Sequence, residues 1–126
     1  MNKSSITTMN QLNNPARFNK LVHYEELKEY QNDDGHWIEG WKKSDLGTTY
    51  AQIRNIRGNE FIMAGAAQAK ISARINTRYR KDVEEKYYEL GEKLRLNYKG
   101  RIFEIEYLNN LEEKNIEHEF IVNEVR

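Results

Sequence analysis

Histidine occurs at three positions, His23, His36 and His118, and acid–base or metal chemistry would most readily be built from these side chains. None stands at ligand spacing from another histidine, and the chain has no cysteine, so neither a thiolate metal site nor a disulfide framework can form. Each histidine is therefore expected on the surface or in a turn. Carboxylates are plentiful, but no pair is set apart as an acid–base couple. There is no phosphate loop, nucleophile elbow or dinucleotide fingerprint. The expectation is a protein that is not an enzyme and uses neither cofactor nor metal.

What remains is aromatic and electrostatic chemistry. Tyrosine occurs eight times, and Arg78-Tyr79-Arg80 places one between two guanidinium groups, a pattern that on a small barrel can stack single-stranded nucleic acid. The competing reading puts Tyr79 on the inward face with Ile75, as core. Trp37 and Trp41 lie four apart, on one face of a strand, and read as a hydrophobic anchor.

Charge is balanced overall, with 20 basic and 20 acidic residues. That balance argues against binding driven by phosphate neutralisation. The charges are nevertheless segregated. Arg54, Arg57, Lys70, Arg74, Arg78, Arg80 and Lys81 are accompanied by one acid, Glu60. Further on, Glu104, Glu106, Glu112, Glu113, Glu117, Glu119 and Glu124 are accompanied by one base, Lys114. Either the two groups pair across strands of one sheet, or the basic face of one subunit meets the acidic face of the next in a ring. In the second case Arg74, Arg78, Arg80, Glu117 and Glu119 form the subunit interface.

The elements that position these residues are mostly strands. Residues 1–16 are polar, carry the only proline, Pro15, and are expected to form a flexible arm. They contain no apolar run like that of a signal peptide, which with the lack of cysteine fits a reducing cytosol, and no stretch approaches the roughly 18 apolar residues of a membrane span. The rest, 17–126, has the length of one domain. Residues 18–57 read as a long, bulged hairpin turning at Asn32-Asp33-Asp34-Gly35. Thr49 to Ile53 has strand composition, and Gly58 interrupts it. Asn59 to Ala69 is alanine-rich and suits a short helix capped by Asn59, or an ordered loop. Ile71, Ala73, Ile75, Thr77 and Tyr79 alternate with Ser72, Arg74, Asn76, Arg78 and Arg80, the pattern of a half-buried strand. Asp82 to Lys93 reads as a helical excursion or a loop. Lys99-Gly100 marks a tight hairpin, and Asn115 to Val125 supplies the last strand. The sum is a mainly β chain: a small antiparallel barrel or sandwich of about six strands, with a long loop or short helix between the second and third.

From residue 17 onward the sequence resembles the head-tail adaptor, or head-closure, family of long-tailed phages. The matching pieces are Arg17 to Val22, the turn Asp33-Asp34-Gly35, Trp41 leading to Thr49-Tyr50-Ala51-Gln52-Ile53, and Arg57-Gly58-Asn59-Glu60-Phe61 with Ala64 and Gln68. They continue with Ala73-Arg74-Ile75, Arg78-Tyr79-Arg80 and the hairpin Tyr98 to Ile105. The resemblance implies a non-catalytic barrel that assembles as a ring, commonly twelve-fold in the virion and a monomer in isolation. It implies a portal or adaptor protein above, a tail completion or tail tube protein below, and packaged DNA that only passes or is plugged. The protein would sit at the virion head-tail interface, after assembly in the host cytoplasm, with no membrane contact. The loop between the second and third strands would gate the channel, here through Gly58, Asn59, Glu60, Phe61, Ile62, Met63, Ala64, Gly65 and Gln68. A neighbouring connector role, such as tail completion, and a nucleic-acid-binding barrel are the alternatives.

Overall fold

The computed structural model describes the backbone of residues 15–61 and 70–125. Six strands are formed: β1 (Lys20–Gln31), β2 (Trp37–Phe61), β3 (Lys70–Arg78), β4 (Leu94–Tyr98), β5 (Arg101–Asn110) and β6 (Glu117–Val125). All pairings are antiparallel, and the sheet closes on itself in the order β1-β2-β3-β6-β5-β4. A barrel is thus realised, and a sandwich is not. One helix, α1 (Lys81–Leu90), lies between β3 and β4.

The first hairpin turns where its sequence dictates. The Asn32 side-chain oxygen accepts from the amides of Asp34 and His36, at 3.1 and 2.9 Å, and Gly35 takes a φ of 81°. Such a carboxamide bonding to nearby main-chain donors mimics a backbone turn, and glycine adopts positive φ without penalty. Beyond the barrel the hairpin continues as a two-stranded ribbon. The pairing of β1 with β4 ends at Glu26, and that of β2 with β3 begins at Ala51. From Leu27 to Trp41 the two strands therefore have only each other.

Register shifts at His23/Glu25, Asn55/Glu60 and Ile105/Tyr107 bend the long strands into the ring. The shift after Ile105 explains why Ile105 and Leu108, an odd number of residues apart, both point inward. The shift after Asn55 is the interruption expected near Gly58. Beyond it β2 resumes pairing, Glu60 with Ile71 and Phe61 with Lys70. Asn59 consequently belongs to a strand and caps no helix. Residues 62–69, the rest of the expected loop or helix, lie outside the described residues, as do residues 1–14 of the expected arm.

The core is a cylinder of Val22, Tyr24, Ala51, Ile75, Leu96, Phe103, Phe120 and Val122. Its composition follows from the alternation of inward residues on each strand. The exit from β3 and the entry to β4 lie on opposite walls, so the connection must cross an end of the barrel. Helix α1 makes that crossing. Val83 enters the core, with Tyr87 and Leu90 packed against it, and these positions follow the i, i+4, i+7 spacing of one helical face.

Tyr98 to Arg101 forms the tightest connection, with positive φ at both Lys99 (50°) and Gly100 (87°). No atom lies within 4 Å of a Cβ built on Gly100. The replacement Gly100→Ala should therefore lower stability by about 1 kcal/mol, the backbone cost alone. Lys99→Asn should be neutral or slightly stabilising, since asparagine favours this conformation. Urea titration measures both.

Candidate functional site on the barrel's outer faces

Strand β3 supplies arginine and β6 supplies glutamate, and the strand order makes them neighbours. Arg74 reaches Glu119 at 3.4 Å, and Arg54 from β2 reaches the same carboxylate at 2.8 Å. Arg54 also donates to the Asn76 side-chain oxygen at 2.9 Å. Glu117 is 3% exposed and receives both Arg17 terminal nitrogens, at 2.5 and 2.8 Å, together with the Asn76 amide at 2.8 Å. A two-pronged guanidinium and a neutral amide thus fill the acceptor sites of a buried carboxylate. Arg101 holds Glu124 in the same way at the other end of β6, at 2.9 Å. The Glu124 carboxylate in turn holds the Arg101 guanidinium above its usual range.

The expected interface residues therefore have distinct environments. Glu119 and Arg74 are bound within their own subunit, as cross-strand pairing anticipates, whereas Glu117 is held by Arg17, which precedes β1. Arg80 donates to Asp82 at 2.7 Å and to the Leu46 carbonyl at 2.8 Å, fastening the start of α1 to β2. The Arg80 guanidinium also draws the Asp82 carboxyl below the usual carboxylate range. Arg78 is exposed and lies over the Phe18 ring at 5.4 Å. It forms no ion pair among the described residues. Gly58, Asn59, Glu60 and Phe61 lie in the backbone of β2. Ile62, Met63, Ala64, Gly65 and Gln68 fall outside the described residues.

The histidines correct one expectation. His36 sits in the turn and His23 is half-buried near Glu25, but His118 is 0% exposed. Its Nε2 lies 2.8 Å from a Glu84 carboxylate oxygen, while Tyr79 and Phe120 pack against the ring. His118 stands on the inward face of β6 with Phe120 and Val122, and Glu84 reaches it from α1. Tyr79 contacts this buried ring rather than standing free as a stacking platform. Among the described residues no group of histidines and carboxylates is arranged to hold a metal ion.

Two surface features were not foreseen. Trp37 remains 71% exposed near the end of the ribbon, whereas Trp41 is covered by the Arg95 guanidinium at 4.1 Å. Between the ribbon and β5 runs a groove of about 390 Å³ bordered by Glu39, Glu92, Glu104 and Glu106. These four are far apart in sequence, and only the topology brings them together. The alternation Glu104-Ile105-Glu106 was the one local sign of an acidic outer face.

Residues 14–125 match the family model for phage head completion protein. No curated protein matches the sequence. Among solved structures, the chain is similar to one from the virion of a native gene transfer agent particle. That match has a TM-score of 0.60 at 19% identity and covers 86% of this chain and 96% of the other. It is also similar to protein SF1141 from Shigella flexneri 2a, with a TM-score of 0.55 at 23% identity over 88% and 96% of the two chains. At these identities the two structures speak to the fold alone.

Removing the Glu117 charge leaves the half-buried Arg17 guanidinium with only the neutral Gln52 oxygen as a side-chain acceptor. Glu117→Gln should lower stability by about 3 kcal/mol. Glu119→Gln, at a more solvated pair, should lower it by less than about 1 kcal/mol. Thermal or urea unfolding of the two variants measures the difference.

Proposed function

The chain belongs to the phage head completion protein family, and on that premise we propose that it forms a ring below the portal, closes the DNA-filled head and presents the surface to which the tail attaches. The observation that carries this reading is the family match across the whole described domain. The composition of the surfaces supports a structural role. The carboxylates of β6 and the buried histidine are committed to holding the barrel and its helix together, and such groups serve stability rather than turnover.

In this reading the portal or its adaptor lies on one side of the ring and a tail completion or tail tube protein on the other. The segment from Gly58 to Gln68 gates the channel. Beyond the register shift, β2 and β3 pair again at Glu60 with Ile71 and at Phe61 with Lys70. Copies of the connecting segment gathered at an axis would add the burial of Phe61, Ile62 and Met63 from each subunit, at about 25 cal/mol per Å².

A nucleic-acid-binding barrel is the second reading, and the ion pairs weaken it. Of Arg74, Arg78 and Arg80, two spend their charge on Glu119 and Asp82. A DNA binder would lose affinity steeply between low and moderate salt, whereas this protein should show little DNA affinity at either.

Replacing Asn59 to Ala69 with a short Gly-Ser linker tests the proposed role. The barrel should still fold and still enter particles, while filled heads lose their DNA before tails attach. Heads that retain DNA as well as the unsubstituted ones would remove the gating role. Full infectivity without any copy of this protein would remove the head-closure role itself.

A further inference from the structure

The acidic groove carries more carboxylates than its one lining cation, Lys93, and Arg95 opposite Glu104 can balance among the described residues. Glu39, Glu92, Glu104 and Glu106 border it, Leu27 contributes apolar lining, and Lys93 is the one cation among its lining residues. Glu106 accepts a hydrogen bond from the Asn123 amide, which is neutral. The other three form no ion pair among the described residues. Directly across the ribbon from Glu39 stands Glu29. Like charges at opposed positions of an antiparallel pair destabilise it, and here they do so in a ribbon with no third strand to support it. A two-stranded hairpin is marginal in water. The arrangement makes physical sense when an external cation completes it.

A different face carries the complementary excess. Around the ring β5 is three strands from β2 and two from β3, and the groove borrows Leu27 and Glu39 only from the far ends of β1 and β2. On the outer surface of β2 and β3, Arg54 and Arg74 share the single carboxylate of Glu119, and Arg78 has no carboxylate partner among the described residues. The neighbouring Arg17 and Glu117 cancel each other. Three guanidinium groups thus face one available carboxylate. Arg54 and Arg74 keep 47% and 37% of their side-chain surface exposed, enough to reach a second acceptor.

We propose that the acidic groove between the β1–β2 ribbon and β5 receives the basic β2–β3 face of a second copy. This deepens the head-completion reading and rests on it. The joining surfaces are two different patches of one body, so the contact is head to tail, and its repetition closes a ring when the rotation between copies allows. The proposal replaces the acidic partner expected from sequence. Glu117 and Glu119 already serve their own subunit, and the groove carboxylates meet the neighbour. Charge complementarity of this kind sets register and excludes wrong partners.

The test uses charge exchange between copies in assembling particles. Glu39→Lys combined with Glu104→Lys reverses the groove, and Arg78→Glu reverses the exposed part of the basic face. Both variants should keep the unsubstituted circular dichroism spectrum. Glu39→Lys replaces the repulsion from Glu29 by an attraction, whereas Glu104→Lys sets a second cation opposite Arg95 on β4. Should the double variant melt lower, Glu39→Lys combined with Glu104→Gln takes its place. Should Arg78→Glu lower the melting temperature, Arg78→Gln takes its place as the basic-face variant. Each reversed variant alone should lower the copies per particle by about tenfold or more, and co-expression of Glu39→Lys/Glu104→Lys with Arg78→Glu should restore them, since each then offers a complementary surface to the other. Normal incorporation of either variant alone overturns the docking while leaving head completion intact. Loss by the groove variant that co-expression does not restore also overturns it, and assigns the groove to a basic segment of a different protein. If the unsubstituted protein is itself missing from particles, the head-completion reading fails and the docking falls with it.

Discussion

The pairing of β3 with β6 is the constraint on which the rest of the structure depends. It joins strands about 45 residues apart, and with the β1–β4 pairing it turns a chain of hairpins into a closed ring. Closure removes the free edges of the barrel wall, which would otherwise invite uncontrolled strand addition. It also sends β3 and β4 to opposite walls, so that the chain between them must cross the barrel end. Helix α1 exists where it does for that reason. The same pairing lays the most basic strand against an acidic one and brings Arg74, with Arg54 of β2, to Glu119 at this seam. Non-local contacts of this kind carry a loop-closure cost before they contribute. The charge-assisted bonds from Arg74 to Glu119 and from Asn76 to Glu117 help offset it.

The seam also decides which charges remain for other molecules. Carboxylates on β6 are consumed locally, whereas those around the ribbon and β5 are not. Arginines at the seam outnumber their acceptors. In the proposed docking, the groove carboxylates of one copy meet the seam arginines of the next, although the formal charge of the chain is zero. A balanced composition can hide a segregation of charge, and that segregation suits a repeating assembly better than a catalytic pocket. Among the described residues, no helix is long and apolar enough to cross a membrane.

Much of this was legible in the sequence, for identifiable reasons. The alternation from Ile71 to Arg78 announced a half-buried strand because one face meets the core and the other meets solvent. The turns at Asn32 to Gly35 and at Lys99-Gly100 were legible because their chemistry is local. His118 alternates with Phe120 and Val122 on the inward face of β6, but the carboxylate that receives it, Glu84, comes from α1, which is remote in sequence. The helix itself left a signal in Val83, Tyr87 and Leu90, one face at helical spacing, but the surrounding acids and lysines obscured it. Asn76 was placed on the polar outer face of β3, yet it is buried between Arg54, Glu117 and Glu119. Its neutral amide bridges charged neighbours that no local pattern reveals. The acidic groove needed the complete strand order before its members could be recognised as neighbours.

A cryo-electron microscopy reconstruction of the connector in intact particles is the most direct measurement of the central claim. The account predicts a ring of these barrels at the head-tail vertex, with the β5 wall of each copy facing the β2–β3 wall of the next and Arg78 within ion-pair distance of groove carboxylates. A vertex without this barrel, or a ring whose copies touch through other surfaces while the acidic groove stays open to solvent, would contradict it.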